Sequence, residues 1–107
     1  THDGIDVQAE EGAAVKTAAG GTVQSVTDDE LMGTTVVIDH EGGYSTRYSS
    51  LQKDVPVTAG QQVVAGEVIG RVGTTSAAES QMGPHLHFSV SRDGAVIDPR
   101  DYVGSEE

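Results

Sequence analysis

Two histidines, His85 and His87, stand two residues apart in the run Gly83-Pro84-His85-Leu86-His87-Phe88. On a strand, residues i and i+2 share a face, so both imidazoles look one way while Leu86 and Phe88 look into a core. Pro84 suits the start of that strand, where its missing N–H costs least. Imidazoles placed like this can hold a metal, hold a metal and move a proton, or form a plain surface pair. Near the other end of the chain His2 and Asp6 bracket Gly4 in His2-Asp3-Gly4-Ile5-Asp6. Catalytic zinc takes three protein ligands from His and Asp/Glu and leaves a further position for water. His2, Asp6 and one histidine of the pair offer such a set, although each of these features alone is ordinary.

The segments between must bring these ends together, and they read as strands and turns. Glycines close turns at Gly12, at Gly20-Gly21 and at Gly42-Gly43, and an Asp93-Gly94 pair closes a hairpin. Residues 14–18 form a short extended piece, and residues 22–26 lead into Asp28-Asp29-Glu30, read as a solvated acidic loop. The β-branched run Thr34-Thr35-Val36-Val37-Ile38 predicts a strand, and residues 44–51 return from it. Strict alternation would put Tyr44, Thr46, Tyr48 and Ser50 on one face, with Tyr48 and Tyr44 lining a groove beside Ser50 or packing. Gly60-Gln61-Gln62-Val63 echoes Gly12-Ala13-Ala14-Val15, and a glycine and a valine follow each copy (Gly21/Val23 and Gly66/Val68). Two copies make a pair of similar β layers, not a solenoid. Residues 74–82 are a long polar loop with room for one helical turn, and no stretch keeps helical periodicity over three turns. The expected class is all-β.

The chain has 107 residues and no cysteine, so disulfides and thiolate metal sites are out and the redox compartment stays open. Six Lys+Arg against 17 Asp+Glu give a net charge of −11 with no basic patch, which argues against nucleic-acid binding and against attraction to anionic membranes or wall polymers. No apolar run approaches the roughly 20 residues of a membrane span. Because the chain opens abruptly within the His2–Asp6 motif, it is expected to be a single domain, residues 1–107, from the C-terminal part of a longer chain. A membrane anchor or leader could lie upstream.

Taken in order, His2-x-Gly4-Ile5-Asp6, Thr46-x-Tyr48-x-x-Leu51, Gly60-x-x-Val63-x-x-Gly66-x-x-Ile69-Gly70, the Gly83–Phe88 run and Asp98-Pro99 resemble the lysostaphin/LytM-type zinc endopeptidases, which cut peptide cross-bridges of bacterial peptidoglycan. The resemblance covers nearly the whole chain. It implies an antiparallel β-sheet groove of the barrel-sandwich hybrid kind and an extracytoplasmic place in the cell envelope. It also implies zinc held by His2, Asp6 and His87, with His85 as a catalytic histidine. Zinc lowers the pKa of a bound water toward about 7 and polarises a carbonyl, while an imidazole moves protons.

One position departs from that pattern. Where active members carry a second catalytic histidine in Tyr-x-His-Leu, this chain has Tyr48-Ser49-Ser50-Leu51. A serine hydroxyl does not titrate near neutral pH, so Ser50 marks a degenerate catalytic position. Degenerate members of the family act as binding or assembly modules, and the resemblance extends to the sporulation engulfment-channel subgroup. The expected role is therefore zinc-holding engagement of peptidoglycan peptides or a protein partner, with an active endopeptidase as the alternative. A carrier or phosphotransfer domain on a related β fold fits less well. Neither Lys16 nor Lys53 has the flanks of a biotinyl or lipoyl hairpin, and phosphohistidine chemistry would leave His2 and Asp6 idle.

Overall fold

A computed structural model describes residues 5–74 and 83–97. Among these residues nine strands follow one another with a single short 3-10 turn: β1 (Ile5–Gln8), β2 (Ala14–Lys16), β3 (Gly21–Asp29), β4 (Gly33–Asp39), the turn Glu41–Gly43, β5 (Tyr44–Leu51), β6 (Gln62–Val63), β7 (Val68–Arg71), β8 (His85–Arg92) and β9 (Ala95–Ile97). The main sheet is antiparallel and seven-stranded, in the order β1-β8-β5-β4-β3-β6, and β9 pairs the far end of β8. A two-stranded ribbon, β2 with β7, lies apart from it.

The core lies on one face of the large sheet. Val23, Val36, Ile38 and Tyr48 from that sheet meet Val15 and Ile69 from the ribbon, joined by Leu51, Val57, Val63 and Val72. Apart from Tyr48 and Leu51 these side chains are β-branched valines and isoleucines, which suit a pleated, closely packed surface. Gly70 marks that approach, because a Cβ there would stand 2.9 Å from Leu51 Cδ1.

The internal echo has a structural meaning. Gly12 and Gly60 both take φ near +90°, and the valines three residues on, Val15 and Val63, are both buried. The strand after the first turn pairs with β7 from the second copy, and the strand after the second turn pairs with β3 from the first. The copies thus interlock instead of stacking as separate layers. Backbone bonds from Thr17 N to Glu67 O and from Gly66 N to Thr17 O, each 3.0 Å, tie them further.

Two sequence expectations change. Asp28 and Asp29 are not loop residues: β3 runs through both, paired with Thr34 and Gly33. The turn comes after them, where Asp29 Oδ1 accepts the Leu31 N–H at 2.6 Å and so closes the hairpin with its own side chain. The second change concerns β5. Thr34 pairs Leu51 while Val36 pairs Tyr48, so two residues of β5, Ser49 and Ser50, stand against Thr35 alone. This is a bulge, and it breaks the alternation. Tyr48 and Leu51, three apart, both reach the core, whereas Ser50 leaves the face that Tyr48 occupies. The expected loop or helical turn at residues 75–82 and the terminal Asp98-Pro99 lie outside the described residues.

Candidate metal centre and groove

Strand β8 carries the site. Leu86 and Phe88 pack against the core, which turns His85, His87, Ser89 and Ser91 to the opposite face. Gly83, at φ 74°, turns the chain just ahead of Pro84 and His85. His85 is 1% exposed, and its Nδ1 lies 2.8 Å from Gly83 O. A carbonyl oxygen only accepts, so Nδ1 carries the proton, and in the neutral ring Nε2 is the nitrogen able to accept one.

The registers on either side of His87 place its neighbours. Asp6 on β1 and Ser49 on β5 are both its direct partners, so Asp6, His87 and Ser49 occupy one row across three strands. Paired positions of adjacent antiparallel strands share a face with Cβ atoms about 5 Å apart. Aspartate and histidine are residue types from which zinc takes ligands. The third expected ligand, His2, lies outside the described residues. No group of three or more potential ligands stands among those described.

Ser50 sits beside this row. It is fully buried and takes φ 66°, a conformation uncommon for a residue other than glycine. Its backbone is held from both sides, with its N–H on Met32 O at 3.0 Å and its carbonyl accepting Gly73 N–H at 2.9 Å. Its hydroxyl is 3.4 Å from Gly73 O, and Gly73 bridges to His85. One glycine therefore links the degenerate position to the retained histidine. A Cβ on Gly73 would stand 2.6 Å from Gln52 N and 2.8 Å from Leu51 C. Gly73→Ala is accordingly expected to destabilise the domain by about 1–3 kcal/mol, the usual cost of overpacking, read as a lower midpoint in urea unfolding.

The tyrosines take other places than expected. Tyr48 is 2% exposed, with its ring 5.3 Å from that of Phe88 and its hydroxyl accepting the Ala18 N–H at 3.2 Å. It is a core residue, on the face opposite the groove. Tyr44 shares that face at the strand's start and lies under the Arg92 guanidinium, 5.3 Å from the ring centroid. The bulge is the physical reason that neither tyrosine lies beside Ser50 as alternation implied.

Hydroxyls line the groove instead. Thr35 Oγ1 donates to Ser49 Oγ at 3.1 Å, and Ser45, Arg47, Ser89 and Ser91 continue the same face toward the β8–β9 hairpin. The signal was present as alternation in Ser45-x-Arg47-x-Ser49 and Ser89-x-Ser91, but only the register of β5 on β8 joins the two rows. His40 stands apart: its Nδ1 donates to Gly20 O at 2.8 Å, and Nε2 lies 2.7 Å from Thr46 Oγ1.

An antiparallel sheet with a ribbon over one face and a polar groove on the other is the architecture of the lysostaphin-type peptidase domains. Residues 1–99 match Peptidase family M23, and the chain belongs to that family. It is 33% identical over 102 residues to stage II sporulation protein Q of Bacillus subtilis, covering 94% of this chain and 35% of that one. It is 37% identical over 96 residues to peptidoglycan DD-endopeptidase ShyA of Vibrio cholerae, covering 90% of this chain and 21% of that one. The chain thus spans about a third or less of the curated relatives it matches. Among solved structures, the catalytic domain of the antimicrobial peptidase lysostaphin from Staphylococcus simulans superposes with a TM-score of 0.83 at 26% identity, over 96% of this chain and 79% of that one. A zinc-containing peptidase from Vibrio cholerae gives 0.81 at 34% identity, over 90% and 28%. The SpoIIIAH–SpoIIQ complex gives 0.77 at 33% identity, over 94% and 70%.

Proposed function

We propose that this domain is a zinc-holding M23 module of the bacterial cell envelope that engages peptidoglycan peptides or a partner protein in its groove and does not hydrolyse them. Ser50 carries the reading. It occupies the buried bulge beside Gly73 and His85, and its hydroxyl supplies no acid or base near neutral pH. Losing one proton-transfer group costs on the order of 100- to 10,000-fold in rate. The similarity to stage II sporulation protein Q, and the superposition of this chain on the SpoIIIAH–SpoIIQ complex, support a binding role and a place in sporulation. Membership of the family and the zinc-containing neighbour support the metal.

His2, Asp6 and His87 would hold the zinc, which when bound would polarise a carbonyl and acidify water. His85 keeps an Nε2 able to accept a proton, fixed by the Gly83 carbonyl. That retained histidine, and the similarity to a DD-endopeptidase, favour the second reading, an active zinc endopeptidase that works through His85 alone.

Metal analysis after dialysis against zinc tests the ligand assignment apart from turnover. One zinc per chain is expected, with His87→Ala and Asp6→Ala each losing it. Unchanged zinc content in both variants would remove the assigned site.

A further inference from the structure

The groove face contains a cation whose side chain has no partner among the described residues. Among the described arginines, Arg71 donates to Gly12 O at 3.0 Å and Arg92 lies over Tyr44. The Arg47 side chain is exposed and makes no hydrogen bond or ion pair with any described residue, in a chain of net charge −11. It is the register partner of Ser89 and of Val37, at the middle of the sheet. Together with Gln24, Ser45, Ser91, Gly94 and Val96 these residues line a concavity of about 360 Å³. Ser89 and Ser91 also have no side-chain partner among the described residues. The acid in the neighbourhood, Asp39, is occupied on β4, where it accepts from Ser45 Oγ at 2.9 Å and Gln24 Nε2 at 3.0 Å.

We propose that Arg47, with the hydroxyls of Ser89 and Ser91, forms a carboxylate-binding subsite that reads an acidic group on a peptide lying in the groove. A guanidinium presents a planar fork that matches a carboxylate with two parallel N–H bonds, and flanking hydroxyls donate to the remaining lone pairs. Position sets which part of the peptide is read. Ser89 is two residues along β8 from His87, about 7 Å. An extended peptide covers that distance in two residues, so the carboxylate recognised belongs to a residue about two places from the bond held against His87. The overall negative charge repels anionic chains at large, and the Arg47 guanidinium in this concavity turns general repulsion into selection for a locally placed acid.

This inference rests on the reading that the groove receives a peptide, and the experiment separates the two. The zinc-loaded chain is titrated by calorimetry with soluble cross-linked peptides from purified peptidoglycan, in native form and after carbodiimide amidation of their carboxylates. The native peptides are expected to bind about tenfold more tightly than the amidated ones. Arg47→Gln erases that preference, and Lys16→Gln, which removes the same charge from an exposed site on β2, retains it. Equal affinity for the two forms in the wild type, or a preference surviving Arg47→Gln, overturns the subsite and leaves the peptide groove standing. Failure of both forms to bind overturns the peptide reading and the subsite with it.

Discussion

Ser50→His is expected to raise peptide release from cross-linked peptidoglycan by about 100- to 10,000-fold over the wild-type domain, the contribution of one positioned proton-transfer group. The backbone at residue 50 is already shaped for the exchange. Its φ of 66° is a conformation in which histidine, asparagine and aspartate are several-fold enriched and serine is not. Bonds to Met32 O and from Gly73 N fix it independently of the side chain. The substituted imidazole would stand on the groove side of the bulge, next to the Gly73–His85 bridge. Because residue 50 is fully buried, Ser50→Asn serves as the control: it accepts the same φ, fills part of the same space and has no titrating group. Gain with histidine and none with asparagine is the expected pattern. A folded Ser50→His chain with unchanged zinc content and no release would show that the lost histidine is not what separates this domain from its hydrolytic relatives.

Tyr48→Ala should be the most damaging single substitution for stability, costing about 3–5 kcal/mol as large aromatic truncations in cores do. Three losses coincide. The ring leaves a void under the sheet among Val36, Ile38 and Leu51, the contact with Phe88 at 5.3 Å disappears, and the Ala18 N–H loses its acceptor. Tyr48→Phe separates the last from the others. It keeps the packing and gives up one hydrogen bond, for which about 1 kcal/mol is expected. Since Phe88 is flanked in sequence by His87 and Ser89 on the groove face, Tyr48→Ala should also disturb the groove face of β8. Denaturant unfolding of the three proteins, read by far-UV circular dichroism, ranks them. A cost for Tyr48→Ala no larger than for Tyr48→Phe would mean that the ring carries little of the core.

What was legible in the sequence were patterns of short range. The β-branched run before Asp39, the Asp93-Gly94 turn and the apolar–histidine alternation of β8 each state a local rule, and each appears in the fold. The family resemblance rested on short motifs spread along the chain, those among the described residues falling on β1, β5, β6, β7, β8 and the glycine turns between them, and the match over residues 1–99 bears it out. What the sequence hid were offsets. One extra residue in β5 sent Tyr48 to the core and Ser50 to the groove, and nothing in Tyr-Ser-Ser-Leu announces a bulge. The acidic pair Asp28-Asp29 reads as a loop because charge suggests solvent, yet a hairpin strand reaching into water accommodates it. The interlocking of the two glycine-valine units is also invisible in the sequence, since repetition shows that two units are alike but not which strands they pair. The hydroxyl floor and its lone arginine arise only where β5 and β8 meet in register.

The central proposal is that this domain holds zinc through His2, Asp6 and His87 and retains His85, but lacks turnover because of residue 50. Its most direct test is release of soluble peptide from purified cross-linked peptidoglycan by the zinc-loaded wild-type chain, with a chelated sample alongside. No release above the chelated control is the predicted result. Release that the chelator abolishes would contradict the account and leave His85 sufficient for hydrolysis without a histidine at position 50.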